Sequence, residues 1–218
     1  MKLRLHLLLP LLLLCNQSDA HTINYQLQKM GDGEVFGTYL LQGFEHILPL
    51  GLDHILFILC IFFLNTSLKK TLIQASMFTL AHSITLALAM YKIIDPPGTI
   101  VEPLIAASIV VLACENIFSN KVKSWRMIMI FLFGLVHGMG FAGALSELGM
   151  PEYAYATALV SFNLGVELGQ VSIILLMYLL VAKPFGQKET YRKFVVVPAS
   201  LIIALVAGYW TAERIFFN

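Results

Sequence analysis

Apolar residues run along most of this chain in long stretches that are separated by short polar segments. A helix rises 1.5 Å per residue, so about 20 apolar residues cross the hydrocarbon layer of a membrane. The pattern predicts six membrane-spanning helices, at residues 50–65, 71–91, 99–118, 127–146, 155–182 and 194–212. We therefore expect an all-α integral membrane protein whose transmembrane domain covers residues 49–218.

The beginning of the chain has a different pattern. Residues 1–20 place two basic residues before a short apolar core and end with the small residues Ser18 and Ala20. This arrangement is typical of a secretory signal peptide, because such a core is too short to span a bilayer. Residues 21–48 are then expected to form a short extracytoplasmic segment with an interfacial helix, which ends before the helix-interrupting Pro49.

Basic residues are distributed unevenly among the loops between the predicted spans. The loops after the first, third and fifth spans contain nearly all of them: Lys69, Lys70, Lys121, Lys123, Arg126, Lys183, Lys188, Arg192 and Lys193. Loops rich in lysine and arginine stay on the cytoplasmic side. A cleaved signal peptide also leaves the new N-terminus outside. Both arguments predict six spans in a bacterial-type inner membrane, with the N- and C-termini outside.

The composition supports a membrane location and excludes some partners. The chain is 58% hydrophobic and 12% charged, with a mean hydropathy of +0.80, which is outside the range of soluble domains. The lipid bilayer is therefore an expected partner. Nucleic acid is not, because the chain has no basic face that would neutralise phosphates.

Two parts of the chain resemble each other. GLDHILF at residues 51–57 resembles GLVHGMGF at residues 134–141, and FTLAHS from Phe78 resembles FNLGVE from Phe162. Three spans per copy imply a 3+3 inverted repeat. Secondary transporters often have this architecture, with the binding site between the repeats near the middle of the membrane.

Three histidines fall at membrane depth in three predicted spans, and carboxylates accompany them. An ionisable group in hydrocarbon costs at least about 2.5 kcal/mol, so such residues usually have a function. Imidazole ligands with few carboxylates suit nickel, cobalt, zinc or copper. The predicted metal ligands are His54, His82, His137 and Glu167. The predicted supporting or pathway residues are His46, Asp53, Ser83, Glu102, Glu115, Asn116, Asn163 and Gln170.

The ordinary alternative for each of these residues is a role in helix packing, because polar side chains also join membrane helices. Asp53 lies about 100° from His54 around a helix, so it either binds an ion separately or orients an imidazole on a neighbouring helix. His46 is separated from His54 by Pro49, and we favour an interfacial residue over an outer ligand there.

Five segments together resemble the HupE/UreJ family of membrane proteins. They are GFEHILPLGLDHILF, FTLAHSITLALA, VEPLIAASIVVLACEN, FGLVHGMGFAGAL and FNLGVELGQ, within residues 36–182. The family is associated with hydrogenase and urease maturation, and its members are proposed to be nickel permeases. The resemblance implies metalloenzyme maturation proteins as partners. It also implies functional roles for His46, Asp53, His54, His82, Glu102, Glu115, Asn116, His137, Asn163, Glu167 and Gln170.

We therefore favour membrane transport of a divalent transition-metal ion over an enzymatic activity. An intramembrane zinc-dependent hydrolase is the first alternative, although the sequence has no HExxH pair that would supply adjacent zinc ligands. A haem electron carrier is another, since opposed histidines can bind haem iron. A non-transporting metal-delivery accessory protein has the same sequence features as a permease.

Overall fold

The computed structural model describes residues 30–148, 152–188 and 190–217, and these residues form helices joined by short turns, without a strand. The predicted signal peptide lies outside the described residues. The helices are α1 (Asp32–Ile47), α2 (Leu52–Phe63), α3 (Leu68–Met90), α4 (Gly98–Phe118), α5 (Arg126–Leu148), α6 (Tyr155–Met177) and α7 (Val197–Phe216). The prediction of an all-α fold is confirmed.

Short irregular segments extend two of these helices. The 3-10 helix Glu152–Ala154 precedes α6, which continues through the π-helical turn Tyr178–Ala182 into the short helix Lys183–Phe185. The π-helical turn Arg192–Val196 leads directly into α7. With these segments, the two apolar helices cover Tyr155–Phe185 and Arg192–Phe216.

Four helices in the described part of the chain are long and apolar enough to cross a membrane, namely α3, α4, and the extended α6 and α7. The structure differs from the prediction at the first span, because α2 has only 12 residues. At 1.5 Å per residue it is about 18 Å long, which is too short to cross the bilayer alone. Taken with α1, from which it is bent by 67°, it becomes a fifth candidate span.

The fourth predicted span corresponds to α5, whose apolar stretch Arg126–Phe141 is shorter than the others. Length and composition thus support four spans, or five with the bent pair. The sixth span and the positions of the two termini relative to the membrane stay predictions.

The helices pack most extensively in three pairs: α1 with α6, α3 with α5, and α4 with α7. Glycines allow the first pair to touch along their backbones. A Cβ atom added to Gly43 of α1 would overlap the carbonyl oxygen of Phe162 in α6, and one added to Gly165 would overlap that of Leu40. Small residues permit this close packing between membrane helices, where the hydrophobic effect does not drive association.

Candidate metal centre

Four imidazole rings from four different helices meet inside the bundle. His46 lies near the end of α1, His54 in the first turn of α2, His82 in α3 and His137 in α5. The ring centroids are 4.6 Å apart for His46 and His54, 5.2 Å for His54 and His137, and 5.9 Å for His54 and His82. His54 is therefore the centre of the group.

Three of these side chains lie close enough to share one ion. The nitrogen atoms that His46, His54 and His82 can offer as ligands all lie within 4.8 Å of one another. His137 adjoins this group through His54, and its side chain is almost fully buried. Nitrogen ligands in this number suit nickel, cobalt, zinc or copper rather than magnesium or calcium.

The bend between α1 and α2 brings the first two rings together. The chain turns by 67° around Pro49, so that His46 stacks edge-on against His54 although eight residues separate them. Sequence analysis favoured an interfacial position for His46, and the structure instead places it in the cluster. A straight continuation of α1 would have carried the two rings about 12 Å apart along the axis.

Close contact between α3 and α5 positions the other two rings. The hydroxyl of Thr85 in α3 donates a hydrogen bond of 2.7 Å to the carbonyl oxygen of Leu135 in α5. One turn away, a Cβ atom on Gly138 would overlap the carbonyl oxygen of His82. The two helices therefore hold His82 and His137 at a set distance and register.

Hydrogen bonds orient two of the imidazoles so that one nitrogen atom stays available. The Nδ1 atom of His137 donates to the carbonyl oxygen of Phe133 at 2.8 Å. The Nδ1 atom of His54 lies 3.0 Å from Oδ1 of Asp53, to which it donates. A neutral imidazole that donates through Nδ1 carries its lone pair on Nε2. In both residues that Nε2 atom is a potential metal ligand.

Several buried ring nitrogens of the cluster have no hydrogen-bond partner among the described residues. They are Nε2 of His46, His54 and His137 and one ring nitrogen of His82, whose ring also hydrogen-bonds the side chain of Asn163. Most buried polar atoms in proteins are paired, and each exception needs an explanation. A bound cation would satisfy several of these lone pairs at once.

Aromatic side chains surround the imidazoles, and two cavities reach them. Phe141 stacks on Phe162 and contacts His46, while Phe78 packs against His137. One cavity, of about 520 Å³, is lined by Gln42, Glu45, His46, Leu50, Gly51, Asp53, Phe141 and Phe162. The other, of about 320 Å³, is lined by His46, Asp53, His54, Glu102, Ile105, His137, Gly140, Phe141 and Arg214. Aromatic rings therefore line the cluster on several sides, and two cavities give access to it.

A comparison with known families agrees with this arrangement. The sequence model of the family described as HupE / UreJ protein matches residues 21–214, nearly the whole chain. The chain belongs to the HupE/UreJ family. Neither the curated proteins nor the solved structures compared with it contain a match. The family resemblance inferred from the five motifs is confirmed, and HupE/UreJ proteins are linked to accessory or transport roles for nickel and other metals.

Asp53 has a different role in this HupE/UreJ chain from the two that the sequence suggested. Its Oδ1 atom accepts hydrogen bonds from both the ring and the backbone nitrogen of the adjacent His54, at 3.0 and 2.8 Å. The first turn of α2 leaves the backbone N–H groups free, so the carboxylate can fold back onto its own neighbour. Asp53 therefore orients His54 rather than an imidazole on another helix.

Glu167 does not join the histidines as predicted. Its Oε1 atom accepts a hydrogen bond of 2.5 Å from the hydroxyl of Ser76 in α3. Ser76 precedes His82 by six residues, which is about 9 Å along the helix. Spacing along α6 correctly indicated a polar face, but it did not reveal how far that face extends beyond the histidines.

The other predicted residues of α3, α4 and α6 fall into three groups. Asn163 lies beside His82. Gln170 donates to the hydroxyl of Thr79, and the hydroxyl of Ser83 donates to a carbonyl oxygen of its own helix, as in ordinary helix packing. Glu102 lines the smaller cavity, where its carbonyl oxygen accepts a hydrogen bond from Arg214.

Glu115 and Asn116 take part in a separate buried network around Arg126. The guanidinium of Arg126 pairs with the Glu115 carboxylate and donates to the carbonyl oxygen of Cys60 at 2.8 Å. Asn116 donates to the same carbonyl oxygen at 2.9 Å. These groups join α2, α4 and α5 about 9 Å beyond His54 along α2. Sequence analysis assigned Arg126 to a loop and missed this contact, although a buried Glu-Asn pair does call for a cationic partner.

Proposed function

We propose that this HupE/UreJ protein is a permease that carries a divalent transition-metal ion, nickel or an ion with similar ligand preferences, across the inner membrane. The convergence of four imidazoles, three of them buried and each with an unpartnered ring nitrogen, carries the proposal. A buried imidazole nitrogen without a partner is unfavourable, and a metal ion of this class would remove that cost for several nitrogens together.

The ion is a substrate in this proposal, and the binding site is revised accordingly. His46, His54 and His82 act as ligands, with His137 beside them, and Asp53 holds the His54 ring with its Nε2 lone pair available. The two cavities that reach the cluster support exchange of the ion, as transport requires.

The topology in this proposal has six spans with both termini outside. The bent pair α1 and α2 forms the first span and α5 forms the fourth. An inverted repeat is supported by the helix pairs, since α3 packs on α5 much as α6 packs on the first span through α1. With this orientation the larger cavity opens outward and the Arg126 network lies toward the cytoplasm, and in this proposal the ion moves inward.

Substitution of the deeper histidines tests the permease. His82→Ala and His137→Ala should each abolish uptake of radioactive nickel and cobalt into proteoliposomes, while the protein still inserts into the membrane. Tyr209→Ala, on the exposed face of α7, is the control and should transport normally. Unchanged uptake in both histidine variants would refute the proposal. Metal binding without uptake in the unsubstituted protein would favour a metal-delivery accessory role.

A further inference from the structure

Helix α6 presents two buried side-chain oxygen atoms, about one turn apart, that have no hydrogen-bond partner among the described residues. They are Oε2 of Glu167 and Oε1 of Gln170. Positions i and i+3 lie on the same side of a helix. Gln170 is itself only 1% exposed, so this pair of oxygens reaches the interior of the bundle.

The other polar atom of each of these two side chains is bonded. Glu167 accepts through Oε1 from Ser76 at 2.5 Å, and Gln170 donates through Nε2 to Thr79 at 3.0 Å. Each side chain is therefore oriented, and in each the atom left over is an acceptor. Helix packing alone would not leave both acceptors unsatisfied, because each costs about 1–3 kcal/mol when buried.

The two oxygens lie beyond the histidines along α6. Asn163, whose side chain hydrogen-bonds His82, precedes Glu167 by about 6 Å and Gln170 by about 10.5 Å along the helix. In the six-span topology this direction is toward the cytoplasm. Neither of the two cavities that reach the imidazoles is lined by Glu167 or Gln170, so this pair is distinct from the outer access to the cluster.

We propose that the Glu167 and Gln170 oxygens, with the hydroxyls of Ser76 and Thr79, form a second cation station that binds the ion after it leaves the histidines. This inference rests on the proposed permease function. Oxygen ligands suit manganese and magnesium, whereas imidazoles suit nickel and its neighbours. An all-oxygen station therefore holds a nickel-class ion more weakly than the imidazoles do, as a site that must release the ion inward requires.

Binding of Mn²⁺ tests the station independently of transport. The full-length protein is reconstituted in nanodiscs, one equivalent of Zn²⁺ is added to fill the imidazoles, and bound Mn²⁺ is measured by electron paramagnetic resonance. We expect Mn²⁺ binding that weakens at least about tenfold in Glu167→Gln and in Gln170→Met, because each loses a ligand to a charged species. Ser172→Ala, which removes an exposed hydroxyl from the same helix, is the control and should bind Mn²⁺ normally.

The absence of protein-bound Mn²⁺ in the unsubstituted protein, or equal binding in Glu167→Gln, would overturn the inference and would indicate that water alone satisfies the two oxygens. If Glu167→Gln folds poorly, Mn²⁺ binding by Gln170→Met tests the inference instead.

Nickel binding and nickel uptake, measured on the same variants, separate this inference from the proposed function. Glu167→Gln should bind Ni²⁺ at the imidazoles within about twofold of the unsubstituted protein, since it changes no residue of that cluster. Its uptake into proteoliposomes should fall about tenfold or more. Equal losses of binding and uptake would show that Glu167 belongs to the imidazole site, against the inference. Normal uptake in both His82→Ala and His137→Ala would instead refute the permease, whatever the Mn²⁺ result.

Discussion

The contact between Asp53 and His54 gives the sharpest quantitative prediction. The Asp53 carboxylate lies 3.0 Å from Nδ1 of His54, and its side chain is 26% exposed, whereas that of His54 is 4% exposed. The carboxylate makes the ring donate through Nδ1, which leaves the Nε2 lone pair directed at the cluster.

The variant Asp53→Ala removes this partner without removing a ligand. A hydrogen bond that involves a charged group contributes about 1.5–3 kcal/mol, and 1.4 kcal/mol corresponds to a factor of ten in affinity. Loss of such a partner typically weakens metal binding about 10–100-fold. The two arguments agree, so we expect the Kd for Ni²⁺ to rise about 10–100-fold. Asp53→Asn keeps an acceptor oxygen but loses the charge. Its Kd for Ni²⁺ should lie between those of the unsubstituted protein and Asp53→Ala.

The assay is a Co²⁺ titration of the purified protein, followed by the visible absorption of the bound ion, with Ni²⁺ added as a competitor. Glu45→Gln is the matched control, because Glu45 is an exposed carboxylate in the wall of the same larger cavity. It should change the Kd by no more than about twofold, as surface substitutions usually do.

Two results would refute this reasoning. If Asp53→Ala binds Ni²⁺ as tightly as the Glu45→Gln control, the carboxylate does not orient the ring. If it binds as poorly as His54→Ala, Asp53 is itself a metal ligand.

Two further substitutions test the packing that positions the site, and both are measured by thermal unfolding in detergent. Arg126→Met should destabilise the protein by about 3–5 kcal/mol, because it leaves Glu115 buried and unpaired, whereas the exposed Lys123→Met should not. Adding Glu115→Leu to that variant should restore part of the loss, and a variant without any loss would contradict the buried pair. Gly138→Ala should cost about 1–3 kcal/mol through overpacking against α3, whereas Gly143→Ala, in open space on the same helix, should be neutral. Equal stability of the two alanine variants would show that α3 and α5 do not make this close contact.

The long helices follow directly from the sequence. The predicted ranges 71–91 and 99–118 nearly coincide with Leu68–Met90 and Gly98–Phe118, because each is a long apolar run between polar turns. The course of the first span did not follow from the sequence. The segment before Pro49 has both apolar and polar faces, a pattern that suits an interfacial helix and also a helix in a bundle. Packing of its Gly43 against α6 is a contact between residues more than a hundred positions apart, which sequence spacing does not reveal.

What the sequence determined by itself is the position of each polar group along its helix, because the rise per residue is a local property of the backbone. It thereby identified His54, His82 and His137 as intramembrane groups at similar depth. Only the tertiary structure decided which of these groups meet. It added His46 through the bend at Pro49 and separated Glu167 from the imidazoles. The rotation of each helix and the choice of its neighbours depend on side-chain packing between distant segments, and that information is spread over the whole chain.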